Sequence, residues 1–413
     1  MLTNYIKIAW KVLLRHPFYT FITLFGISLT LTVLMVLTSF LDHLIGSHYP
    51  EYKRDRSLYL LHIRLTDSTN RSGNMSDFSY KFLKQHVFSL KTPEKVAMVS
   101  TWAWANSYVD GKRIKVKSKF SDANFWDVTD FTFLEGKPYS EQNIANADPV
   151  AVITDAFRTD YFGLNTNAVG KTIEVDNARY RVIGVVKAAP ITRLFSSAEV
   201  YLPYTLPKSN YQKGEYLGSF NAIILARNQR DFKAIQDEYN QSVKRIPIPF
   251  MEGNWLKVFY IRAEAKPYLD TFIQNFPSGP NSTTVYTVIT LIMLLFMLLP
   301  AINLVNLNVG RSMERASEIG VRKAFGAPVR TLLGQFVIEN VFITLLGGLI
   351  ALGLSALILS LINQSGWILH SDLTINLSVL AVSIFLCLIF GILSGVIPAW
   401  RMAKLPIADA LKS

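Results

Sequence analysis

The run Gly163-Leu-Asn-Thr-Asn-Ala-Val-Gly170-Lys171-Thr172 closes on Gly-Lys-Thr, the ending of a phosphate-cradling loop. Such a loop needs four residues between its glycines, and the position that should then be glycine is Asn165. The segment reads instead as a turn that enters a strand at Thr172. The six histidines are scattered, and the nearest pair, His43 and His48, lacks the one-turn spacing of a metal site. No Gly-x-Ser-x-Gly elbow is present, and the single cysteine, Cys387, excludes a disulfide framework within the chain. Carboxylates are plentiful, but nothing in one sequence pairs them. No catalytic centre, cofactor or metal is expected in this chain.

A different kind of constellation stands between two long apolar runs. The stretch RSMERASEIGVRKAFGA, residues 311–327, is short, charged and helix-friendly. Glu314, Glu318 and Arg322 recur at a spacing of four, which aligns them on one side of a helix with Glu before Arg, the favourable order. Ala316, Ile319 and Phe325 offer apolar contact, and Gly326 with Pro328 marks a helix stop. Arg311, Arg315, Arg322, Lys323 and Arg330 make the loop basic, as loops on the cytoplasmic side of a membrane are. From the residues alone, a topology-setting basic loop and a packed helical handle both fit.

The elements that position this handle are apolar. With 50% hydrophobic and 17% charged residues the chain is a membrane protein. Four runs are each long enough to cross a bilayer, which takes about 20 apolar helical residues. They are read as membrane helices at 18–45, 284–309, 332–362 and 373–398. Residues 1–16 form an interfacial amphipathic helix against the lipid. The first run is an uncleaved anchor, because it is too long for a signal peptide and lacks a small-residue cleavage site. The handle, 310–331, and the tail, 399–413, then share the cytoplasmic face with the N-terminus. The loop 363–372 carries no Lys or Arg and lies outside with the large domain, 46–283. Once divided this way, the formal charge of +12 leaves no basic stripe with interleaved aromatics, so nucleic acid is not an expected partner.

Within the large domain, period and turn residues give an α+β fold. Residues 58–65 alternate as a strand, 79–89 read as a helix, and Asp110-Gly111 joins strands at 106–109 and 114–120. Asp176-Asn177 joins 172–175 to 180–186 in a second hairpin. A strand at 220–226 precedes an amphipathic helix at 231–244 that buries Phe232, Ile235, Tyr239 and Val243. A last strand is expected at 255–261, and 190–218, rich in Pro, Ser and Gly, reads as an exposed loop or a junction.

Polar groups inside the spans ask for partners. Asn303 and Asn306, one turn apart beside Pro300, are read as interhelical hydrogen-bonding groups. Glu339 lies about 10 Å past Leu332 along the helix, and a single such carboxylate fits a structural or coupling role better than a proton relay. Gly347, Ala351 and Ser355 form one small-residue stripe, and Gly391 with Gly395 another; both allow close helix approach.

Glu314-Arg315 followed by Glu318-Ile319-Gly320-Val321-Arg322-Lys323-Ala324-Phe325-Gly326-Ala327 resembles the ER…EIGxRKAxGA signature of FtsX/MacB-type ABC transporter permeases. Gln335-Phe336 with Glu339, and Gly395, Pro398, Ala399 and Arg401 followed by Pro406 and Ala410-Leu411, resemble two more of its elements. Tyr161-Phe162-Gly163, Val169 to Ile173 and Val182 to Val186 resemble the MacB-type periplasmic core, which gives the false phosphate loop a structural explanation. The resemblance departs mildly at Phe325, Pro328 and Asn340.

It implies a multi-pass protein of the bacterial inner membrane, with four membrane helices and a two-lobed periplasmic α+β domain inserted between helices 1 and 2. One lobe would be 58–120 with 219–262, the other 121–218. It implies a non-catalytic permease that dimerises with a second copy or a paralogue and works with a separate cytosolic ABC ATPase pair, which binds the ATP and Mg. By that analogy the handle is the coupling helix, carried by Glu314, Arg315, Glu318, Ile319, Gly320, Arg322, Lys323, Gly326 and Ala327. Movement of the periplasmic domains would then serve efflux, with a periplasmic adaptor and an outer-membrane channel as further partners. Lipoprotein extraction and control of a cell-wall hydrolase are the alternatives within the class; a membrane-anchored sensor or scaffold without ATPase is the alternative outside it.

Overall fold

The structure is a computed structural model that describes residues 14–15, 17–66, 73–109, 112–164, 166–246, 260–274, 282–314, 329–366 and 372–404. Four long helices stand out among them: α1, Pro17–Ile45, and, in the second half of the chain, Ser282–Glu314, Val329–Ser365 and Leu377–Lys404. Within the described residues, Thr20–Ile45 and Val337–Ser365 are long and apolar enough to cross a bilayer, and Thr283–Phe296 and Leu377–Ile389 are shorter apolar stretches. The expected helix at 1–16 lies outside the described residues except for Leu14 and Arg15.

The chain forms two compact units. One holds α1 up to Asp42 together with the three late helices; the other runs from His43 to Ser282 with a short piece ending at Asp372. The second unit is a mixed α/β body. Its strands are β1 Ser57–Leu60, β2 Ile63–Thr66, β3 Gly73–Phe78, β4 Lys95–Ser100, β5 Ala103–Val109, β6 Lys112–Ser121 and β7 Phe133–Gly136. They continue as β8 Val150–Thr154, β9 Thr172–Val175, β10 Ala178–Val186, β11 Val200–Pro203, β12 Leu217–Gly218, β13 Phe220–Leu225 and β14 Tyr260–Arg262. Between them lie α2 Tyr80–His86, α3 Asn124–Val128, α4 Glu141–Ala145, α5 Asp155–Phe162, α6 Phe232–Lys244 and α7 Tyr268–Gln274. The late helices are therefore α8 Ser282–Glu314, α9 Val329–Ser365 and α10 Leu377–Lys404.

One hydrogen-bonded path runs β11-β8-β10-β9-β5-β6-β4-β13-β3-β2-β14, with β1 on β13 and β7 on β10. The strands β1, β8, β11 and β13 are buried along their whole length, as strands covered on both faces must be, and they are correspondingly apolar. Three side-chain clusters fill the body. The first joins α2 and α6 to β1, β3 and β13 through Leu58, Phe82, Ile224, Ile235 and Tyr239. The third joins α5 to β8, β10 and β11 through Ile153, Phe157, Val182 and Leu202. The second bridges them, with Tyr59, Phe125, Val152, Tyr201 and Ile223. The β5–β6 hairpin, grouped with the first lobe on sequence, lends Ala105 and Val116 to the third cluster.

Several expectations from local chemistry hold. The helix expected over 79–89 is present as α2, Tyr80–His86, and the Ser79 hydroxyl caps it by accepting from the Phe82 amide. Asp176 and Asn177 both take positive φ, 49° and 61°, the conformation a tight two-residue hairpin needs. On α6, Ile235 and Tyr239 are fully buried, whereas Phe232 and Val243, expected on the same face, are only half-buried. The strand expected over 58–65 divides instead: β1 pairs with β13 and β2 with β3 and β14, so the chain changes partners at Leu61-His62. The segment 190–218 is not only loop, since β11 lies inside it and pairs with both β6 and β8. Of the expected strand 255–261 only the end falls in the described residues, as part of β14, and the turn Asp110-Gly111 lies outside them.

Candidate functional site

The residues of the handle from Arg315 to Ala327, hence Arg315, Glu318, Ile319, Gly320, Arg322, Lys323, Gly326 and Ala327, lie outside the described residues. Glu314 is the last residue of α8, and α9 begins at Val329, so the helices reach the handle from both sides. Asn303 and Asn306 fall on α8, and Gly391 and Gly395 on α10.

The structure places the third group, on α9, in close helix contact. A Cβ on Gly347 would lie 2.7 Å from Ile27 Cγ2 of α1, and one on Gly348 would lie 2.9 Å from Ile384 Cδ1 of α10. Neighbouring glycines therefore face two different helices, which only side chains this small permit. Ala351 is fully buried and packs with Ile27, Leu31 and Ile343. Its carbonyl receives the Ser355 hydroxyl at 2.7 Å and stands 3.5 Å from Thr32 Oγ1 of α1. Glu339 is buried, only 3% exposed. The first small-residue stripe is thus a seam between α9 and α1.

At the other end of α1 lies a cluster that sequence reasoning missed. A helix leaves its last carbonyls without intrahelical partners, and cations are favoured there. Arg54 Nη1 donates to the carbonyls of Leu44 and Ile45 at 2.8 and 3.2 Å, and Arg193 Nη1 donates to that of Gly46 at 3.1 Å. Arg54 also donates through Nε and Nη2 to Glu51 Oε2, at 2.9 and 2.6 Å, while the Ser196 hydroxyl donates to Glu51 Oε1. The guanidinium of Arg54 sits 3.6 Å from the centre of the Tyr268 ring, an arrangement contributing about 2 kcal/mol when desolvated. Tyr268 is in turn braced edge-on by Tyr59 at 5.5 Å.

The electrostatics follow from burial. Burial alone would raise the Glu51 carboxyl, but Arg54, the Ser196 hydroxyl and Arg193 outweigh it and hold Glu51 below the usual carboxylate range. Burial and the like charge of Arg54 pull Arg193 down to about 10. Arg193 is fully buried, and its Nε and Nη2 have no hydrogen-bond partner among the described residues. One carboxylate thus serves two buried cations, which leaves the joint under-compensated, and buried charge without full pairing is costly. The available sequence signal was slight: Glu51 and Arg54 three residues apart, just beyond the first apolar run.

The false phosphate loop proves structural. Gly163 ends α5 with φ of 88° and Gly170 turns with φ of 87°; the Gly170 amide donates to the Val182 carbonyl and the Lys171 amide to that of Ala168. Those amides are spent within the fold, and the Lys171 ammonium rests 5.2 Å from the Phe162 ring.

Residues 20–242 match the family described as MacB-like periplasmic core domain, and residues 290–407 match the FtsX-like permease C-terminal family. A macrolide export ATP-binding/permease protein MacB of Psychrobacter arcticus is 28% identical over 70% of the chain, which spans 41% of that protein. A pyoverdine export ATP-binding/permease protein PvdT of Pseudomonas fluorescens is 26% identical over 71% of the chain and 42% of its own length. An ABC transporter permease of Bacillus subtilis, named YknZ and uncharacterized, is 24% identical over 70% of the chain and 68% of its own length. The chain therefore spans about two fifths of the first two relatives.

Proposed function

Because the chain belongs to the FtsX-like permeases that carry a MacB-like periplasmic core domain, we propose that it is the membrane subunit of an ABC transporter that works by transmitting force. A separate cytosolic ATPase pair closes on ATP and moves the handle at 310–331. The handle moves α8 and α9, and the periplasmic body answers. The permease acts as a dimer in the inner membrane with both termini in the cytoplasm, and its output is export. Chemistry belongs to the ATPase, which supplies the ATP and Mg sites; a periplasmic adaptor and an outer-membrane channel complete the path.

The observation that carries this reading is a continuous series of packed contacts. Gly347 and Ala351 on α9 close against Ile27 and Thr32 of α1, α1 runs unbroken to Ile45, and its last carbonyls are held by Arg54 and Arg193. α1 runs as one continuous helix from the α9 seam to the arginine-held carbonyls, the kind of connected element that coupling between distant sites requires. The names of the relatives support export as the output: two are export ATP-binding/permease proteins, and one is named as a permease alone.

The test is charge reversal at Glu318→Arg and Arg322→Glu in proteoliposomes containing the partner ATPase. The variant chain should insert normally while the export obtained per ATP hydrolysed falls about tenfold, the scale of an ordinary coupling free energy. Unchanged coupling would overturn the reading.

A further inference from the structure

Where β6 and β11 end side by side, the body holds a cavity of about 250 Å³ lined by Tyr80, Phe88, Tyr204, Asp122, Glu141 and Lys84 among others. The two strands are tied there by the Tyr204 amide donating to the Ser121 carbonyl at 3.1 Å. Tyr80 and Tyr204 stack at 5.1 Å, and Tyr211 stands edge-on to both, at 5.2 and 5.3 Å. Asp122 is 95% buried. Its Oδ1 accepts from the Phe125 amide at 2.9 Å, but its Oδ2 has no partner among the described residues. A buried carboxyl oxygen left without a donor is a standing cost in a folded body. It calls for a donor.

We propose that this cavity binds a small protonated primary amine, with Asp122 as its carboxylate partner and the tyrosine rings as its wall. An ammonium group supplies the N–H that Oδ2 lacks and the charge that the ring faces attract. The chain already uses that wall for a cation, since the Lys84 ammonium stands 5.6 Å from the Tyr80 ring centre. Glu141, also in the lining, adds a second negative charge. The volume lies below that of sites for drug-sized ligands, so the amine is small. The site does not depend on the transport reading and would regulate or sense rather than convey cargo.

Protonation gives the proposal a signature. Burial pushes the Asp122 carboxyl up to about 8, partly offset by the backbone hydrogen bonds it makes and reinforced by Glu141. The charged and titratable groups around it are Glu141, Lys84, Tyr139 and Tyr204. Binding an ammonium ion requires the ionised carboxylate, so apparent affinity scales with the ionised fraction and is tighter by about an order of magnitude at pH 8.5 than at pH 6.5.

The probe is phenethylammonium, titrated calorimetrically into the full chain in nanodiscs at both pH values. Saturable binding of one equivalent, strengthened by that factor at the higher pH and lost in Asp122→Asn, supports the site. Lys84→Gln, an exposed change that spares the fold, removes the resident ammonium and tightens binding. Equal binding by wild type and Asp122→Asn, no dependence on pH, or unsaturable uptake alone would overturn the proposal, and so would Lys84→Gln weakening the interaction.

Discussion

Glu51 is the single carboxylate between two buried guanidinium groups, and its removal leaves both uncompensated at the end of α1. Breaking such a pair from one side costs about 3 to 5 kcal/mol, more than the pair itself contributes, because the surviving charges stay buried. Glu51→Gln is therefore expected to lower the unfolding free energy of the body by that amount at pH 7, read from denaturant midpoints. The pH dependence has a definite sign. The folded pKa of Glu51 lies below its unfolded value near 4.5, so its stabilisation is present above that value and is lost as pH falls through the lower folded pKa. The gap between wild type and Glu51→Gln should narrow progressively as pH falls below 4.5; a gap that does not narrow would place the role of Glu51 in packing rather than charge. Beyond the spacing of Glu51 and Arg54, none of this was legible in the sequence. Arg193 is 142 residues away from Glu51 in numbering, within a stretch whose composition reads as loop, and only the fold brings the two together.

The seam between α9 and α1 makes a prediction at the scale of elements. A side chain on Gly347 must displace Ile27, because even its Cβ would stand 2.7 Å from Ile27 Cγ2, whereas Gly353 has open space around its Cβ position. Gly347→Val should weaken the helix packing by about 1 to 3 kcal/mol, the usual cost of overpacking. Gly353→Ala should be neutral or slightly stabilising, since alanine is the better helix former. Thermal unfolding of the two variants in one detergent separates these outcomes; equal midpoints would remove Gly347 from the seam. The small-residue spacing of this stripe was readable because period alone sets which residues share a helix face. The hairpin at Asp176-Asn177 was readable for a similarly local reason, as few residues tolerate positive φ there. The break between β1 and β2 was not, because both halves alternate as one strand would, and their different partners lie far along the chain.

For the molecule as a whole, hydropathy gave the order of long helices and domain, and the signature around the handle pointed to the family that residues 20–242 and 290–407 match. What neither could supply is the path between them. The α9–α1 seam and the arginine-held end of α1 provide a physical candidate for that path: one contact midway along the helix and one at its C-terminal end. If force travels this way, the end of α1 must respond when nucleotide binds on the far side of the membrane. Hydrogen exchange of the backbone amides over residues 46–56, measured on the complex with its ATPase with and without ATP, tests this most directly. The account predicts that ATP changes exchange there in the wild type and leaves it unchanged when Glu318 and Arg322 are reversed. Exchange that is insensitive to ATP in the intact, ATP-hydrolysing complex would contradict it.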